Sequence, residues 1–361
     1  MPGLDADAVV IGAGITGAAA AHALAQDGRA VVLLERSRVG NDHGSSHGTS
    51  RIFRLSYPDK RYVRLAQSSL PGWRKLEAEC GTQLLLTTGS LDLGGFADTN
   101  ARALSSCGVG FETVDRAAAS ARWPLRFEAG ERALYQPDAA TILADRALRS
   151  FVEGAVAAGA TLREQTEVLT IGDSRAGARV DTGADTIRCR AVIVAAGAWT
   201  PHLVQPLGIE LPVVPTRETV AHFAAPRGES IPCVIDDATM ADGATHGVRR
   251  AGSLTYALSS PGLGVKVGLH HSGPVADLND RGHPDQGVVE WASGWVGRRL
   301  PEASPEPVST ETCLYTNTAD ESFVLSRHGR VVVASACSGH AFKFAPAIGK
   351  TLAALAAEAA A

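Results

Sequence analysis

The chain has 361 residues, of which 45% are hydrophobic and 20% are charged, and its formal net charge is −4. This length predicts about two domains, and the residue balance is typical of a folded globular protein. The slight negative charge argues against nucleic acid and anionic membranes as partners, because both attract basic surfaces.

Six cysteines are scattered along the chain without CxxC pairs, which argues against a disulfide framework and a structural zinc site. We therefore expect no bound metal and a reducing, cytoplasmic setting. The first residues lack the basic segment of a signal peptide, and no apolar run reaches the roughly 20 residues of a membrane span. These patterns predict a soluble protein.

The beginning of the chain predicts a strand, a glycine turn, a helix and a second strand. Their sequences are DAVVIGAG, ITGAAAAHALAQDG and RAVVLLER, covering residues 7–36. Apolar runs without alternation are typical of strands buried on both faces of a parallel sheet. The pair Asp27-Gly28 predicts the end of the helix.

Two further blocks continue this pattern. A helix and strand are predicted over 145–168, followed by a strand in 188–200, and a third block runs from 329–339 into a helix at 345–360. We assign these blocks to one α/β (α+β overall) fold. The first domain is expected to be Rossmann-like and to comprise residues 1–85, 141–215 and 305–361.

The segments between these blocks have a different hydrophobic pattern. Short alternating stretches such as TVAHFAA, SLTYALSS and GVKVGLHH predict a mostly antiparallel sheet. We therefore expect residues 86–140 and 216–304 to form an inserted substrate domain. The proline-rich stretch 301–310 is the expected crossing back to the first domain.

The stretch GAGITG at residues 12–17 matches G-x-G-x-x-G between a predicted strand and a predicted helix. The first glycine makes the tight turn, the second lets the backbone approach a pyrophosphate, and the third permits close helix packing. Glu35 ends the next strand, where a carboxylate accepts hydrogen bonds from a ribose. Together they predict a dinucleotide site.

The motif by itself does not choose between FAD and a nicotinamide cofactor. VIVAAGAWT at residues 192–200 ends a strand in small residues, which resembles the second nucleotide-contacting strand of flavoproteins. An alanine-rich turn is also ordinary packing, so this pattern favours FAD without deciding for it.

Several isolated residues allow two interpretations from the residues themselves. Cys313 has no neighbouring cysteine, and an isolated cysteine is usually a buried free thiol. Lys266 lies on an alternating strand, so its side chain could point to solvent. Arg51 and Arg54 are interleaved with apolar residues, which indicates a partly buried segment. Lys343 lies between two phenylalanines, where an ammonium needs a partner.

Three motifs together carry a specific resemblance: GSSHGTSRIFR (44–54), CLYTNTADESF (313–323) and SGHAFKF (338–344). Through them the chain resembles the monomeric sarcosine oxidase and N-methyltryptophan oxidase family, within the glycine/D-amino-acid oxidase superfamily. The resemblance covers essentially the whole chain, with the motifs in the same order. The substrate-domain segments are the least similar.

The resemblance implies roles for the isolated residues. Cys313 would form a thioether to the 8α-methyl group of the flavin, and Arg54 and Lys343 would bind the substrate carboxylate. Lys266 would lie over the flavin N5 side and promote the reaction with oxygen. The residues matched to the surroundings of the flavin ring are His47, Arg51, Tyr256, His270 and Tyr315. With the glycine motif, the expected cofactor contacts are Gly12, Gly14, Ile15, Thr16, Gly17, Glu35, Arg36, Ser45, Ser46, Cys313, Gly339 and Lys343.

The resemblance therefore implies a monomeric flavoprotein oxidase. Its substrate would be a secondary amine, such as an N-methyl amino acid, oxidised to an imine while O₂ becomes H₂O₂. Within the enzyme class, an oxidase of cyclic imino acids such as proline or pipecolate, a natural-product tailoring oxidase and a carrier-linked dehydrogenase stay open. A non-catalytic flavin-binding subunit is the alternative outside it.

Overall fold

The computed structural model describes residues 3–174, 176–226, 228–237 and 254–360. Residues 227 and 238–253 of the expected substrate domain lie outside the described residues. The described residues contain nineteen strands: β1 (Ala6–Ile11), β2 (Val31–Leu34), β3 (Ser50–Phe53), β4 (Leu85–Leu86), β5 (Ser90–Leu93), β6 (Glu112–Asp115), β7 (Arg132–Gln136), β8 (Ala140–Leu143), β9 (Thr161–Arg163), β10 (Thr170–Ser174), β11 (Gly177–Asp181), β12 (Thr186–Val194), β13 (Val214–Phe223), β14 (Cys233–Asp236), β15 (Thr255–Ser260), β16 (Gly264–Leu269), β17 (Pro307–Asn317), β18 (Val324–His328) and β19 (Val331–Ser335).

Eight α-helices and four short 3₁₀ turns connect these strands within the described ranges. The helices are α1 (Ile15–Gln26), α2 (Lys60–Cys80), α3 (Ala97–Ser106), α4 (Arg116–Arg122), α5 (Ala144–Ala157), α6 (Thr200–Val204), α7 (Gln286–Arg299) and α8 (Ala345–Ala360). The 3₁₀ turns are Gly197–Trp199, Gln205–Leu207, Gly228–Ser230 and Phe342–Phe344.

The first sheet contains five consecutive parallel strands in the order β9-β2-β1-β12-β19. Antiparallel strands extend it, because β10 and β11 pair beside β12, and β18 pairs with β19. Helices α1, α5 and α8 cover one face, and the other face packs against its own cluster of apolar side chains. Burial on both faces explains why β1 and β12 have continuous apolar sequences.

Helix α1 begins directly after the glycine turn and ends as the sequence predicts. Its N-cap is Gly14 and its C-cap is Asp27, followed by Gly28 at φ +74°. The alanines at 18–21 are fully buried, and such small side chains let α1 approach α5 and α8 closely. The predicted Rossmann-like arrangement is confirmed.

The second sheet has eight strands in the order β17-β13-β16-β15-β14-β5-β7-β6. All neighbouring pairs are antiparallel except β14 and β5, which run parallel. Helix α7 covers one face through Trp295, which is packed among valines and a phenylalanine. The predicted antiparallel sheet is therefore present, and the third, three-stranded sheet β3-β8-β4 lies beside it.

One expected boundary differs from the structure. β17 pairs with β13 from Val214 to Phe223, so it belongs to the second sheet, although residues 305–361 were assigned to the first domain. The chain therefore crosses after Asn317 instead of at 301–310. The stretch 307–317 alternates as a strand of either sheet would. The sheet that it joins is determined by pairing with β13, about 90 residues earlier in the chain. The other domain limits stay a prediction.

All six cysteines carry free thiols. Across the part of the chain that the structure describes, no helix combines the length and the apolar composition that a bilayer crossing demands.

Candidate active site

A cavity of about 670 Å³ lies between the glycine turn of the first sheet and one face of the second sheet. Gly12 and Glu35 line its nucleotide end, and Lys266 and Lys343 line the far end. Most residues predicted as site residues line this single space, although they come from both ends of the chain. Gly17 and His47 are the two exceptions.

The glycine turn is shaped by contacts that leave no room for side chains. Gly12 has φ +98°, and a Cβ there would lie 2.5 Å from the carbonyl oxygen of Ala195. A Cβ on Gly17 would collide with the carbonyl oxygen of Gly12. Gly17 therefore packs α1 against β1 and shapes the site from behind, as the third glycine of such motifs does.

Glu35 holds the turn in place. Its Oε2 accepts a hydrogen bond from the Ala13 N–H over 2.9 Å, and its Oε1 accepts one from the Ser37 N–H over 2.9 Å. The N–H of Ile15, at the start of α1, donates to Ser46 Oγ over 3.0 Å. A helix N-terminus beside a carboxylate is the arrangement that binds the pyrophosphate and ribose of a dinucleotide.

Replacing Gly17 with alanine should abolish cofactor binding, because the new methyl group would push α1 away from the turn. We expect the purified variant to lack bound flavin absorbance while the wild-type protein retains it. Gly110→Ala is the matched control, since no atom lies within 4 Å of a Cβ at Gly110. A flavin content in Gly17→Ala equal to that of the control would contradict the assignment.

The far end of the cavity is formed by one face of the second sheet. Side chains alternate between faces along a strand, and residues opposite each other in the register share a face. Lys266 pairs with His222 on β13 and with Leu258 on β15, while Cys313 pairs with Glu218. The opposite face carries the apolar residues that pack against α7, such as Val265, Val267, Ala221 and Ala257.

Lys266 is buried on this face, with 4% of its surface exposed. Its Nζ lies 3.3 Å from Glu311 Oε1 and donates to the Ser50 carbonyl oxygen over 3.4 Å. Burial lowers the pKa of Lys266 to about 8; the neighbouring Arg51 also lowers it, and Glu311 opposes both. The alternative of a solvent-facing lysine is therefore wrong.

Arg51 and Arg54 extend from β3 and the residue after it. Arg51 donates to the carbonyl oxygens of Ser50, Ser45 and His47 over 2.8, 3.0 and 2.7 Å. Arg51 thus ties the loop that carries the serines to the sheet. Its guanidinium lies 5.7 Å from the centre of the Phe342 ring.

Arg54 and Lys343 approach the same ring. The Arg54 guanidinium lies 4.3 Å and the Lys343 ammonium 5.7 Å from the centre of the Tyr57 ring. Arg54 Nη1 donates to the Ser56 carbonyl oxygen over 2.6 Å, and Lys343 Nζ donates to the His340 carbonyl oxygen over 2.6 Å. Two cations thus lie close together beside one aromatic ring.

The charge of this pair is only partly compensated within the described residues. Asp92 Oδ1 lies 3.8 Å from Arg54 Nη1, and this aspartate is fully buried. Burial holds the pKa of Lys343 well below its usual value, and the Arg54 charge lowers it further. A bound anion between the two cations would relieve this repulsion, so the arrangement suits a carboxylate.

Cys313 lines the cavity as a half-buried thiol on β17. Burial raises the pKa of the Cys313 thiol to about 11, whereas Arg51 and Lys266 act in the opposite direction. Two cations therefore act on the Cys313 thiol, which stays protonated at neutral pH because its pKa is about 11.

The predicted histidines and tyrosines surround the same end. His270 Nδ1 lies 3.3 Å from the hydroxyl of Tyr315, and burial holds the pKa of His270 well below its usual value, so the ring is neutral. Tyr256 lines the cavity, and burial raises its pKa above the usual value. His47 lies beneath the lining, where its Nε2 donates to the Thr312 carbonyl oxygen over 3.0 Å.

Within the described residues, one group resembles a metal site. His270, His271 and Glu321 place possible ligand atoms within 4.8 Å of one another. His271 Nδ1 already contacts Glu321 Oε1 at 3.1 Å, and the His270 and His271 rings stack with centres 4.0 Å apart. These contacts describe an ion pair and a ring stack, and of the three residues only His270 lines the cavity.

Four residues of the site escaped the sequence analysis: Tyr57, Asp92, His222 and Glu311. A carboxylate on an alternating strand normally faces water, so the sequence around Asp92 does not indicate that its side chain is buried in the site. Strand alternation offered one signal, since Glu311 lies two residues before Cys313 and therefore on the same face.

The sequence model of the FAD dependent oxidoreductase (DAO) family matches residues 7–355. The chain belongs to this family. It is 34% identical to the peroxisomal sarcosine oxidase of Homo sapiens, over 96% of this chain and 90% of that protein. It is 28% identical to the monomeric sarcosine oxidase of Arthrobacter sp. (strain TE1826), over 98% of this chain and 92% of that protein.

Among solved structures, the fold is similar to NikD, an unusual amino acid oxidase essential for nikkomycin biosynthesis. The TM-score is 0.84 at 28% identity, covering 98% of this chain and 94% of that chain. The family resemblance expected from the three motifs is confirmed, as are the fold class and FAD as the cofactor.

The residues of the cavity fit FAD. The glycine turn, the start of α1 and Glu35 suit the adenosine and pyrophosphate portion, which needs close backbone approach and a hydrogen-bond acceptor. The opposite end offers four cations to the ring system and substrate: Arg51, Arg54, Lys266 and Lys343. Among the described residues, the buried Nδ1 of His47 and hydroxyl of Tyr57 have no hydrogen-bond partner within the protein.

Proposed function

We propose that this FAD-dependent oxidoreductase is an amine oxidase acting on a secondary amine, namely an N-methyl amino acid such as sarcosine. The C–H and N–H bonds of the amine are replaced by a C=N bond, and O₂ takes up the two electrons and two protons as H₂O₂. The imine then hydrolyses in water. Bound FAD supplies the two-electron chemistry, and the protein supplies binding and electrostatics.

The observation that carries this proposal is the pair of Arg54 and Lys343. Both cations lie against Tyr57, and the nearby carboxylate of Asp92 belongs to only one of them. A substrate carboxylate held by both would have its amine end directed into the cavity, which is an orientation effect. The sarcosine oxidases at 28–34% identity support an amino acid substrate.

The other predicted residues take positioning and electrostatic roles in this proposal. Lys266 places a fixed positive charge where oxygen gains negative charge as it is reduced. Arg51 holds the serine loop that carries Ser45 and Ser46. His270, kept neutral by burial, and Tyr315 form one hydrogen-bonded wall of the substrate space, and Tyr256 lines the cavity beside them.

A panel of amines tests the proposal. Peroxide release should follow addition of N-methyl amino acids and be absent with the corresponding primary amino acids. Turnover with an artificial electron acceptor but without peroxide would instead identify a carrier-linked dehydrogenase, and no turnover with any amine would contradict an amine oxidase.

NikD favours a second candidate substrate class. The similarity to this amino acid oxidase of nikkomycin biosynthesis extends over 98% of the chain, so an amino acid of natural-product origin is the alternative. The cyclic imino acids proline and pipecolate belong in the same panel. A catalytic efficiency tenfold higher for these than for sarcosine would decide for the alternative.

The proposed cofactor attachment is a thioether between Cys313 Sγ and the 8α-carbon of FAD. It replaces the S–H bond and one C–H bond of the 8-methyl group, and oxygen accepts the two electrons released. The cations of Arg51 and Lys266 support it, because they favour the thiolate that forms the bond.

We expect acid-precipitated wild-type protein to stay yellow and to exceed the polypeptide mass by one FAD. Cys313→Ala should release all its flavin into the acid supernatant. Cys337→Ala is the matched control, because Cys337 is also a half-buried, cavity-lining cysteine and should leave the attachment intact. Flavin found wholly in the supernatant of wild-type protein would rule the thioether out.

We further propose that the enzyme acts as a monomer in a reducing cytoplasm. The Arthrobacter relative is named a monomeric sarcosine oxidase, and the six free thiols fit a reducing compartment. Light scattering after gel filtration tests the first point, since a mass of twice 37.5 kDa would contradict it.

A further inference from the structure

A carboxylate without a role in the proposed reaction lies against Lys266. Glu311 belongs to β17, two residues before Cys313, and its side chain is half-buried. Its Oε1 lies 3.3 Å from Lys266 Nζ and 3.2 Å from His222 Nε2. Glu311 Oε1 therefore contacts both the Lys266 ammonium and the His222 imidazole at the floor of the cavity.

The sheet register creates this contact. His222 on β13 lies opposite Lys266 on β16, and β17 runs along the other side of β13. His222 is 2% exposed, and its Nδ1 lies 3.0 Å from the hydroxyl of Ser260, which in turn lies 2.9 Å from the hydroxyl of Thr49. The histidine is thus held on both sides, and it fixes the carboxylate in turn.

Lys266 needs a counter-charge because its surroundings disfavour the ammonium. Its burial and the Arg51 guanidinium both lower its pKa, and Glu311 raises it. Burial raises the pKa of Glu311, but the contacts with His222 and Lys266 outweigh it and hold this pKa far below its usual range, so the carboxyl stays ionised. The titratable and charged groups that face Lys266 from the surrounding elements are His47, Arg51, His222, Glu311 and Cys313.

We propose that Glu311 is a positioning residue for the oxygen reaction, which keeps Lys266 cationic and holds its ammonium against the cavity, with His222 fixing the carboxylate. The proposal rests on the role of Lys266 in the proposed function. Glu311 itself does not touch the substrate.

The lysine charge can be measured directly in the oxidised holoenzyme. The chain has only five lysines, Lys60, Lys75, Lys266, Lys343 and Lys350. Lysine labelled with ¹³C at Cε therefore gives few NMR signals, and Lys266→Met identifies the one that belongs to Lys266. Its titration should shift downward by about 1–3 pH units in Glu311→Gln, the range that an adjacent opposite charge controls.

Two variants complete this measurement. Glu311→Asp keeps the negative charge at a longer distance and should shift the titration by less than Glu311→Gln. Glu306→Gln makes the same chemical change at an exposed position just before β17 and should leave the Lys266 titration unchanged. Flavin content and thermal midpoint confirm that each variant is folded.

The oxygen reaction gives the second readout. In Glu311→Gln the rate of the oxidative half-reaction should fall as pH rises through the lowered pKa, so the loss is roughly fivefold or more at pH 8 and disappears in acid. The reductive half-reaction should keep its wild-type pH profile. Loss of the Lys266 charge slows the oxygen reaction only where the lysine is deprotonated. A packing defect would instead slow the reaction equally at every pH.

Two results would overturn the proposal. An unchanged Lys266 titration in Glu311→Gln would show that another group maintains the charge. A shifted titration with an unmoved kinetic profile would show that this charge does not govern the oxygen reaction. Peroxide release from the amine panel tests amine oxidation separately, so failure of the Glu311 proposal is distinguishable from failure of the proposed function.

Discussion

Lys266→Met is expected to slow the oxidative half-reaction by roughly 10²–10³-fold while leaving the reductive half-reaction near the wild-type rate. Removing one preorganised electrostatic group from a water-excluded site costs a factor of this size. Lys266 is such a group, because it is 4% exposed and points into the cavity. No comparable negative charge develops beside it while the amine is oxidised. Anaerobic stopped-flow absorbance measures the reductive step, and mixing with oxygenated buffer measures the other.

The pH dependence of the oxidative half-reaction follows from the direction in which the pKa of Lys266 is shifted. Burial lowers the pKa of Lys266 to about 8, so the cation is fully present well below pH 8 and is lost above it. The oxidative rate of the wild-type enzyme should therefore fall as pH rises through about 8, and this fall should be absent from Lys266→Met.

Two substitutions control for packing. Lys266→Arg keeps the charge and should recover part of the rate. Lys350→Met makes the same change on an exposed face of α8 and should leave both half-reactions unchanged. Equal slowing of both steps in Lys266→Met would indicate a packing defect, and unchanged oxidation would move the search for the oxygen site to His270.

The second large effect is expected at the pair of Arg54 and Lys343. A hydrogen bond to a charged group contributes about 1.5–3 kcal/mol, so Arg54→Met and Lys343→Met should each lower kcat/KM by roughly 10- to 150-fold. Arg54→Lys should not restore the activity, because a lysine lacks the planar, two-pronged donor geometry. Steady-state kinetics with the best amine of the panel measures the effect.

Carboxylate inhibitors give an independent readout of the same pair. Binding of acetate or a thioether carboxylate should weaken in parallel with kcat/KM in both variants. Arg64→Met, on the exposed side of α2, is the matched control and should change neither quantity. If both variants keep nearly wild-type kcat/KM and unaltered inhibition by carboxylates, Arg54 and Lys343 do not bind the substrate carboxylate.

Asp92 also bears on this pair. Its carboxylate is fully buried, and burial raises its pKa even though Arg54 opposes that shift. Asn100 donates to Asp92 Oδ2 over 2.8 Å, which fixes the carboxylate from the side away from Arg54. Strand β5 and helix α3 thus contribute to the surroundings of the Arg54 and Lys343 pair, through Asp92 and Asn100.

Some features of this protein are determined by local sequence. The glycine turn requires φ +98° at Gly12 and no side chain at Gly17, and these are properties of single residues and their immediate neighbours. The continuous apolar strands and the alanine-rich helix likewise follow from short stretches. The dinucleotide end of the site could therefore be predicted from the sequence.

The substrate end depended on resemblance, because its residues come from distant segments. Arg54 and Lys343 are almost 290 positions apart, and nothing in either segment indicates that both approach Tyr57. The motifs predicted a set of site residues, and the structure shows the contacts among them.

The alternation of β16 and β17 determines which side chains share a face, and it determines this from backbone geometry without any tertiary contact. Whether that face meets water or a cavity is a separate matter. Lys266 and Glu311 have the pattern of exposed strand residues, yet Lys266 is buried beside the cavity and Glu311 is half-buried. Burial of a strand face depends on which distant segment packs over it, so only the tertiary structure decided that these two charges lie against each other at the floor of the cavity.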